Sequence, residues 1–213
     1  MRPIKTATYS PITALTTAFN AQTFNSTGAA TAVTTSTTTD GLAHTVTLVA
    51  PVQATLAGVT FTIVGTDADG NAQTETGLVG PASGATVVST KYFKSITTIQ
   101  PSATMGALVV SVGCSAVSAS PSIPLERRSI SPAYLDIDIT GTINFTVNET
   151  FEDIFKAAPS TMRWFAITAF SAKATDIQGA ATVASSGVQV ITNSVTNGAT
   201  YTLYISQATQ QTG

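Results

Sequence analysis

Threonine occupies 40 of the 213 positions, while Lys, Arg, Asp and Glu together occupy only 20 (9 basic plus 11 acidic). A β-branched side chain is stiff at its first torsion and packs well on a pleated, half-buried surface. Threonine at this density therefore directs the chain toward β-sheet. The missing charge is as informative. From Thr6 to Thr66 the one charged side chain is Asp40, so this stretch lacks the mixed charge that solvates a free domain. A neutral, hydroxyl-rich surface suits a subunit packed against other subunits.

Residues 1–40 are rich in Thr, Ala and Ser and carry no sustained period, which reads as an extended N-terminal arm. Such an arm needs an anchor, either its own sheet or a neighbouring chain, and the neighbour is the expectation. From His44 the pattern changes. His44–Ala50 alternates Val46 and Leu48 with Thr45 and Thr47, and Leu56–Gly65 follows with Phe61 and Ile63 on one face. Asp69-Gly70 then predicts a two-residue hairpin turn leading into Gln73–Val79. Val87–Tyr92, Phe93–Gln100 and Ala107–Cys114 complete a meander whose turns fall about ten residues apart, the spacing of a sandwich or barrel.

Between 118 and 132 the composition shifts. Pro121, Pro124 and Pro132 surround Glu126-Arg127-Arg128, and proline at this density predicts an extended linker. A second β unit follows over 133–213. Tyr134–Ile139 sets Tyr134, Asp136 and Asp138 against Leu135, Ile137 and Ile139, and Thr142–Asn148 turns Ile143, Phe145 and Val147 inward. Thr150 as a cap, Asp153 three residues on, and Phe151, Ile154 and Phe155 before Pro159 predict one short helix. Trp164–Phe170 resumes as strand, and Asn197-Gly198 joins Gly187–Thr192 to Thr200–Gln207 as a closing hairpin. The expected architecture is all-β: an arm (1–40), a sandwich- or barrel-like domain (41–117), a linker (118–132), and a second such domain with one short helix (133–213).

Candidate chemistry is sparse. Asp67, Asp69 and Asn71 alternate as calcium ligands do. However, Gly70 falls two positions early, no Glu stands at the twelfth position, and strands flank the loop. A hairpin with solvated acids is the reading. Asp136 and Asp138 share one face of a strand without a third ligand, which describes a wet sheet face. His44 is the one histidine, set within a Thr-rich strand with no Gly-x-Ser-x-Gly elbow anywhere. One His and one Cys cannot fill a zinc tetrahedron, no Gly-rich loop precedes a helix to cradle phosphate, and lone Cys114 reads as a buried core thiol. The chain is expected to be no enzyme, with no catalytic residue, metal or cofactor.

The charge totals give a formal net of −2, which supplies no field for nucleic acid. Lys91 and Lys94 around Tyr92-Phe93 are too few for the several phosphate contacts such binding needs. No stretch approaches the ~18 apolar residues of a membrane helix. Met1–Ser10 has charge but no apolar core, so it is no secretory signal, and synthesis in the host cytoplasm is expected. Partner contacts are expected from the arm, through Arg2, Lys5, Tyr9, Phe19 and Phe24. Arg127 and Arg128 either fork onto a partner's carboxylates or simply solubilise the linker.

Phe61–Ile99 contains Gly-Thr-Asp-Ala-Asp-Gly-Asn at 65–71, Thr-Glu-Thr at 74–76, Gly80-Pro81 and Thr-Lys-Tyr-Phe-Lys-Ser-Ile-Thr at 90–97. It resembles segments of small structural proteins of tailed bacteriophages. Gly-Thr-Ile-Asn-Phe-Thr-Val at 141–147 and Phe-Glu-Asp-Ile at 151–154, before Trp164, resemble the companion β domain of such proteins. The likeness covers about half the chain and lies in pattern and turn chemistry. It implies a virion component without an active site. The leading expectation is a homo-oligomeric capsid decoration or cement protein, dimer or trimer, that bridges the major capsid protein or other virion proteins. The alternatives are a neck or tail component, and a carbohydrate- or receptor-binding module using Trp164, Tyr201 and Tyr204.

Overall fold

The computed structural model describes residues 5–19, 21–23, 31–32, 37–52, 55–105, 109–125, 132–156, 161–181 and 185–207. Its strands run in chain order as β1 (Lys5–Tyr9), β2 (Ala21–Thr23), β3 (Thr31–Ala32), β4 (Ala43–Val49), β5 (Thr60–Thr66), β6 (Ala72–Val79), β7 (Thr86–Phe93) and β8 (Ser95–Pro101). They continue as β9 (Val109–Ala119), β10 (Ile123–Pro124), β11 (Tyr134–Thr140), β12 (Ile143–Thr150), β13 (Phe165–Ala166), β14 (Ile177–Ala180), β15 (Gly187–Val195) and β16 (Thr200–Ser206). The protein is all-β with antiparallel pairing. By contacts it divides into two compact units, Met1–Thr13 with Ala119–Gly213, and Ala14–Ser118. β1 pairs along its whole length with β16 of the same chain, which places it in the first of these units.

In the unit built on the C-terminal half, one sheet has the order β1-β16-β11-β14, and β13, β12 and β15 lie side by side in a second, with β10 on β15. Period-two alternation sends Leu135, Ile137, Tyr201, Leu203 and Ile205 to one face of the first sheet. Ile143, Phe145, Val147, Val188 and Val190 come from the second sheet, and all belong to one buried cluster. Each of these large side chains contributes roughly 1.5–3 kcal/mol by leaving water. The chain crosses between the sheets at two corners, Gly141 (φ 84°) and Gly198 (φ 78°), where positive φ suits glycine. Asn197-Gly198 is thus a corner and not the expected hairpin, since β15 and β16 lie in different sheets.

The expected helix is also corrected. Thr150 ends β12, and its hydroxyl accepts the Glu152 N–H at 3.2 Å. Asp153 then closes a turn, accepting Phe155 N–H on its side chain and Lys156 N–H on its carbonyl. Among the described residues no helix reaches seven residues. Trp164–Phe170 yields only the two-residue β13 and a short 3-10 turn, Thr168–Phe170.

In Ala14–Ser118, β8, β5 and β6 pair in sequence with β3 on β8, while β2 pairs with β9, and β4 with β7. The strands alternate between layers instead of forming the expected meander. The edges of β6 and β7 are joined by side chains. The Glu75 carboxylate accepts the Thr90 and Lys91 N–H groups at 2.9 and 2.8 Å, Gln73 Nε2 donates to Tyr92 O at 2.7 Å, and Lys91 Nζ donates to Thr74 O at 2.6 Å. These bonds satisfy edge groups that a ladder would otherwise have to meet. The Asp69-Gly70 turn is wider than two residues. Thr66 faces Ala72, and buried Asp67 accepts the N–H groups of Asp69 (3.0 Å) and Asn71 (2.9 Å) inside the loop. Asp67 is therefore an internal acceptor, not a solvated acid.

Gly65 sits where the β5–β8 register shifts. A Cβ there would run into the Ser95 carbonyl and lie 3.1 Å from Ile96 Cα, both backbone. Gly65→Ala is expected to destabilise the protein by at least about 2 kcal/mol. Denaturant unfolding checks this by a lower midpoint at unchanged slope.

Candidate functional site

His44 lies fully buried in β4, with both ring nitrogens facing oxygen. Nδ1 is 2.9 Å from Ser115 O and Nε2 is 2.7 Å from Asp40 Oδ2. Both contacts are within hydrogen-bonding distance, and together they fix the ring between the β9 backbone and the 38–42 turn. Asp40 Oδ1 also accepts Thr38 Oγ1 (3.0 Å) and Leu42 N–H (3.1 Å), closing the turn through Gly41 at φ 72°. Beside it, Thr45 Oγ1 and Ser115 Oγ are 2.5 Å apart. Side-chain exposures of 0% for His44 and 1% for Asp40 place the pair inside the fold. It is a pin holding the 38–42 turn, β4 and β9 together. Its sequence signal was faint, since a lone His four residues after a lone Asp has no helix to bring them together.

Cys114 is buried, and its backbone N–H and C=O exchange bonds with Leu15 at 2.9 and 3.0 Å. Burial, then the Asp40 charge, pushes its thiol above the ordinary range. It therefore stays protonated and a poor nucleophile near neutral pH.

The outer face of the β1-β16-β11-β14 sheet holds a shallow recess of about 280 Å³ lined by Tyr134, Asp136, Asp138, Tyr204 and Ser206. Asp136 stands opposite Tyr204, and Asp138 opposite Thr202. Tyr134 Oη donates to Gln178 Oε1 at 3.1 Å. Neither aspartate has an ion-pair partner among the described residues. Of the expected aromatic platforms, only Tyr204 reaches this face. Tyr201 is fully buried and Trp164 half-buried away from it in sequence and sheet. Among the described residues no three His, Cys, Asp or Glu side chains converge as metal ligands, and no helix is long and apolar enough to cross a membrane.

The feature that composition and spacing did not reveal lies where β12 ends. Phe151 (46% exposed), Phe155 (79%) and Phe165 (49%) stand open. The Phe151 and Phe165 rings meet at 5.9 Å and 40°. Glu149, opposite Phe165 in the β12–β13 ladder and 3% exposed, keeps its Oε2 buried without a hydrogen-bond partner among the described residues. The Phe151, Ile154, Phe155 spacing imitates one face of a helix, which is why a short helix was expected here.

The expected contact residues divide. Lys5 is exposed in β1, its Nζ donating to Pro124 O. Tyr9 packs its ring 5.2 Å from Tyr201, making it partly a core residue of its own unit. Phe19 is fully buried, with its N–H on Val112 O at 3.0 Å, so it faces its own core and not a partner. Arg2, Phe24, Arg127 and Arg128 lie outside the described residues. Comparison with family models, curated proteins and solved structures gives no match.

Two outcomes are expected from the buried pair and the thiol. Asp40→Ala should cost on the order of 3–5 kcal/mol, read by chemical denaturation, because it strands His44 without its acceptor. Cys114 should resist alkylation by iodoacetamide at pH 8 in the native protein and react at a free-thiol rate once unfolded.

Proposed function

We propose that this chain is a non-enzymatic structural protein of a tailed-phage virion, a capsid decoration or cement protein that bridges neighbouring capsid subunits. The observation that carries the docking part of this reading is the open Phe151–Phe155–Phe165 end. Phe151 and Phe165 in contact, with Phe155 exposed four residues after Phe151, leave large apolar rings open on a charge-poor chain, and such a surface suits a protein interface. The virion setting rests on the resemblance at 61–99 and 141–154. In this reading residues 41–117 and 133–213 act as two sandwich- or barrel-like modules on either side of the proline-rich 118–132 segment. Exposed Lys5 and the linker arginines Arg127 and Arg128 join the Phe end in contacting capsid protein or a second copy. Holding neighbours together stabilises the assembled state by mass action, with no chemistry required.

A second reading draws on the recess between Tyr134 and Tyr204. Aromatic rings beside carboxylates on a sheet face suit a carbohydrate or receptor ligand. Quantitative mass spectrometry of purified particles separates the possibilities. A cement protein should be present in hundreds of copies per particle, whereas a neck or tail component would number in tens or fewer. Absence from the particle contradicts both virion readings and leaves the binding module.

A further inference from the structure

We propose that Glu149 and the Phe151–Phe165 pair form a docking site for a primary ammonium, the side chain of a lysine on a protein partner. The inference rests on the docking role of the Phe end and names the chemistry recognised there. Glu149 faces Phe165 across the β12–β13 ladder and Val188 across the β12–β15 ladder, so these three side chains emerge on the same face of the sheet. Phe151 follows two residues on and touches Phe165. On the β12 side away from β15, β13 is the outermost strand and only two residues long. Glu149 thus lies one strand in from the sheet border, on the face that carries Val188 of the core, next to Phe165 of an aromatic pair that is half open to solvent.

Its Oε2 is buried and receives no donor. A buried acceptor left unmet costs about 1–3 kcal/mol, and a donor brought from outside would recover it. Two cations close in sequence, among the described residues, are paired with other acids. Arg163 Nε reaches Glu152 at 3.7 Å and Lys156 Nζ reaches Asp153 at 3.8 Å, both at the exposed rim. Neither of these pairs involves Glu149, which forms no ion pair among the described residues.

Lysine fits this arrangement better than other donors. Its four methylenes can lie along the Phe rings while the compact ammonium reaches past them, supplying N–H donors and positive charge to Oε2. The ring faces attract the same cation. A neutral alcohol would bring a donor but neither the charge nor the cation–π attraction. A guanidinium is wider and planar, so it suits an open carboxylate better than a buried one.

The probe is n-butylammonium, titrated into the full chain with 13C-labelled phenylalanine and followed by aromatic NMR, with n-butanol as the uncharged control. Expected are saturable shifts of the Phe151 and Phe165 rings with butylammonium and none that saturate with butanol. Glu149→Gln should weaken the effect at least tenfold, and Phe165→Leu, which keeps the border apolar, should weaken it severalfold. Equal shifts from the two probes, retained binding in Glu149→Gln, or no saturable shift in the native protein would each overturn the proposal. If the Phe end is nonetheless buried in the assembled particle, only the lysine inference fails and the docking reading stands.

Discussion

Two sheets can share one core only if every strand turns the same alternate residues inward, and this constraint governs the C-terminal unit. Phe145 and Tyr201, both fully buried, belong to opposite sheets and to one apolar cluster. A slip of one residue in β12 or β16 would send either ring to solvent. Gly141 and Gly198 let the chain cross between layers, and the two corners lie so close that a Cβ on Gly141 would come within 2.8 Å of Ala199 Cβ. The same alternation leaves Thr202, Tyr204, Asp136 and Asp138 on the outer face, so the recess there is a by-product of register.

Where the ladders are irregular, side chains take over the backbone's hydrogen bonding. Ser89 Oγ accepts Val46 N–H at 2.8 Å where the β4–β7 register shifts. Ser120 Oγ accepts Val190 N–H at 3.0 Å. Glu75 closes the gap between β6 and β7, and the Asp40–His44 pair holds the turn leading into β4. A chain with few charges has thus placed several of them inside as acceptors for backbone N–H groups. Buried groups satisfied in this way add specificity, whereas Glu149 Oε2, like the Ser118, Ser185 and Thr192 hydroxyls, is buried without a hydrogen-bond partner among the described residues.

Strand content was readable because threonine and alternating apolar residues carry a direct physical preference. Tyr134–Ile139 and Ile143, Phe145 and Val147 were legible down to which face is buried. Sheet order was not. Nothing local distinguishes Asn197-Gly198 as a corner from the same pair as a hairpin turn, since both need positive φ. Phe151, Ile154 and Phe155 satisfy helical spacing equally well when the chain makes a turn and leaves the rings open. The Asp67 loop and the Glu75 clamp depend on groups distant in sequence or on a turn width that residue type does not set. The Phe end was illegible for a related reason, because exposure of an apolar residue is a property of the finished packing.

The account depends on that end being open in the free chain and covered in the working state. Hydroxyl-radical footprinting with mass spectrometry, run on the purified chain and on the chain in the virion proposed to carry it, tests this directly. Oxidation of Phe151, Phe155 and Phe165 should fall severalfold in the particle, while Tyr134 on the outer sheet face keeps its labelling. Unchanged labelling of the three rings, or protection of Tyr134 in their place, would contradict the account.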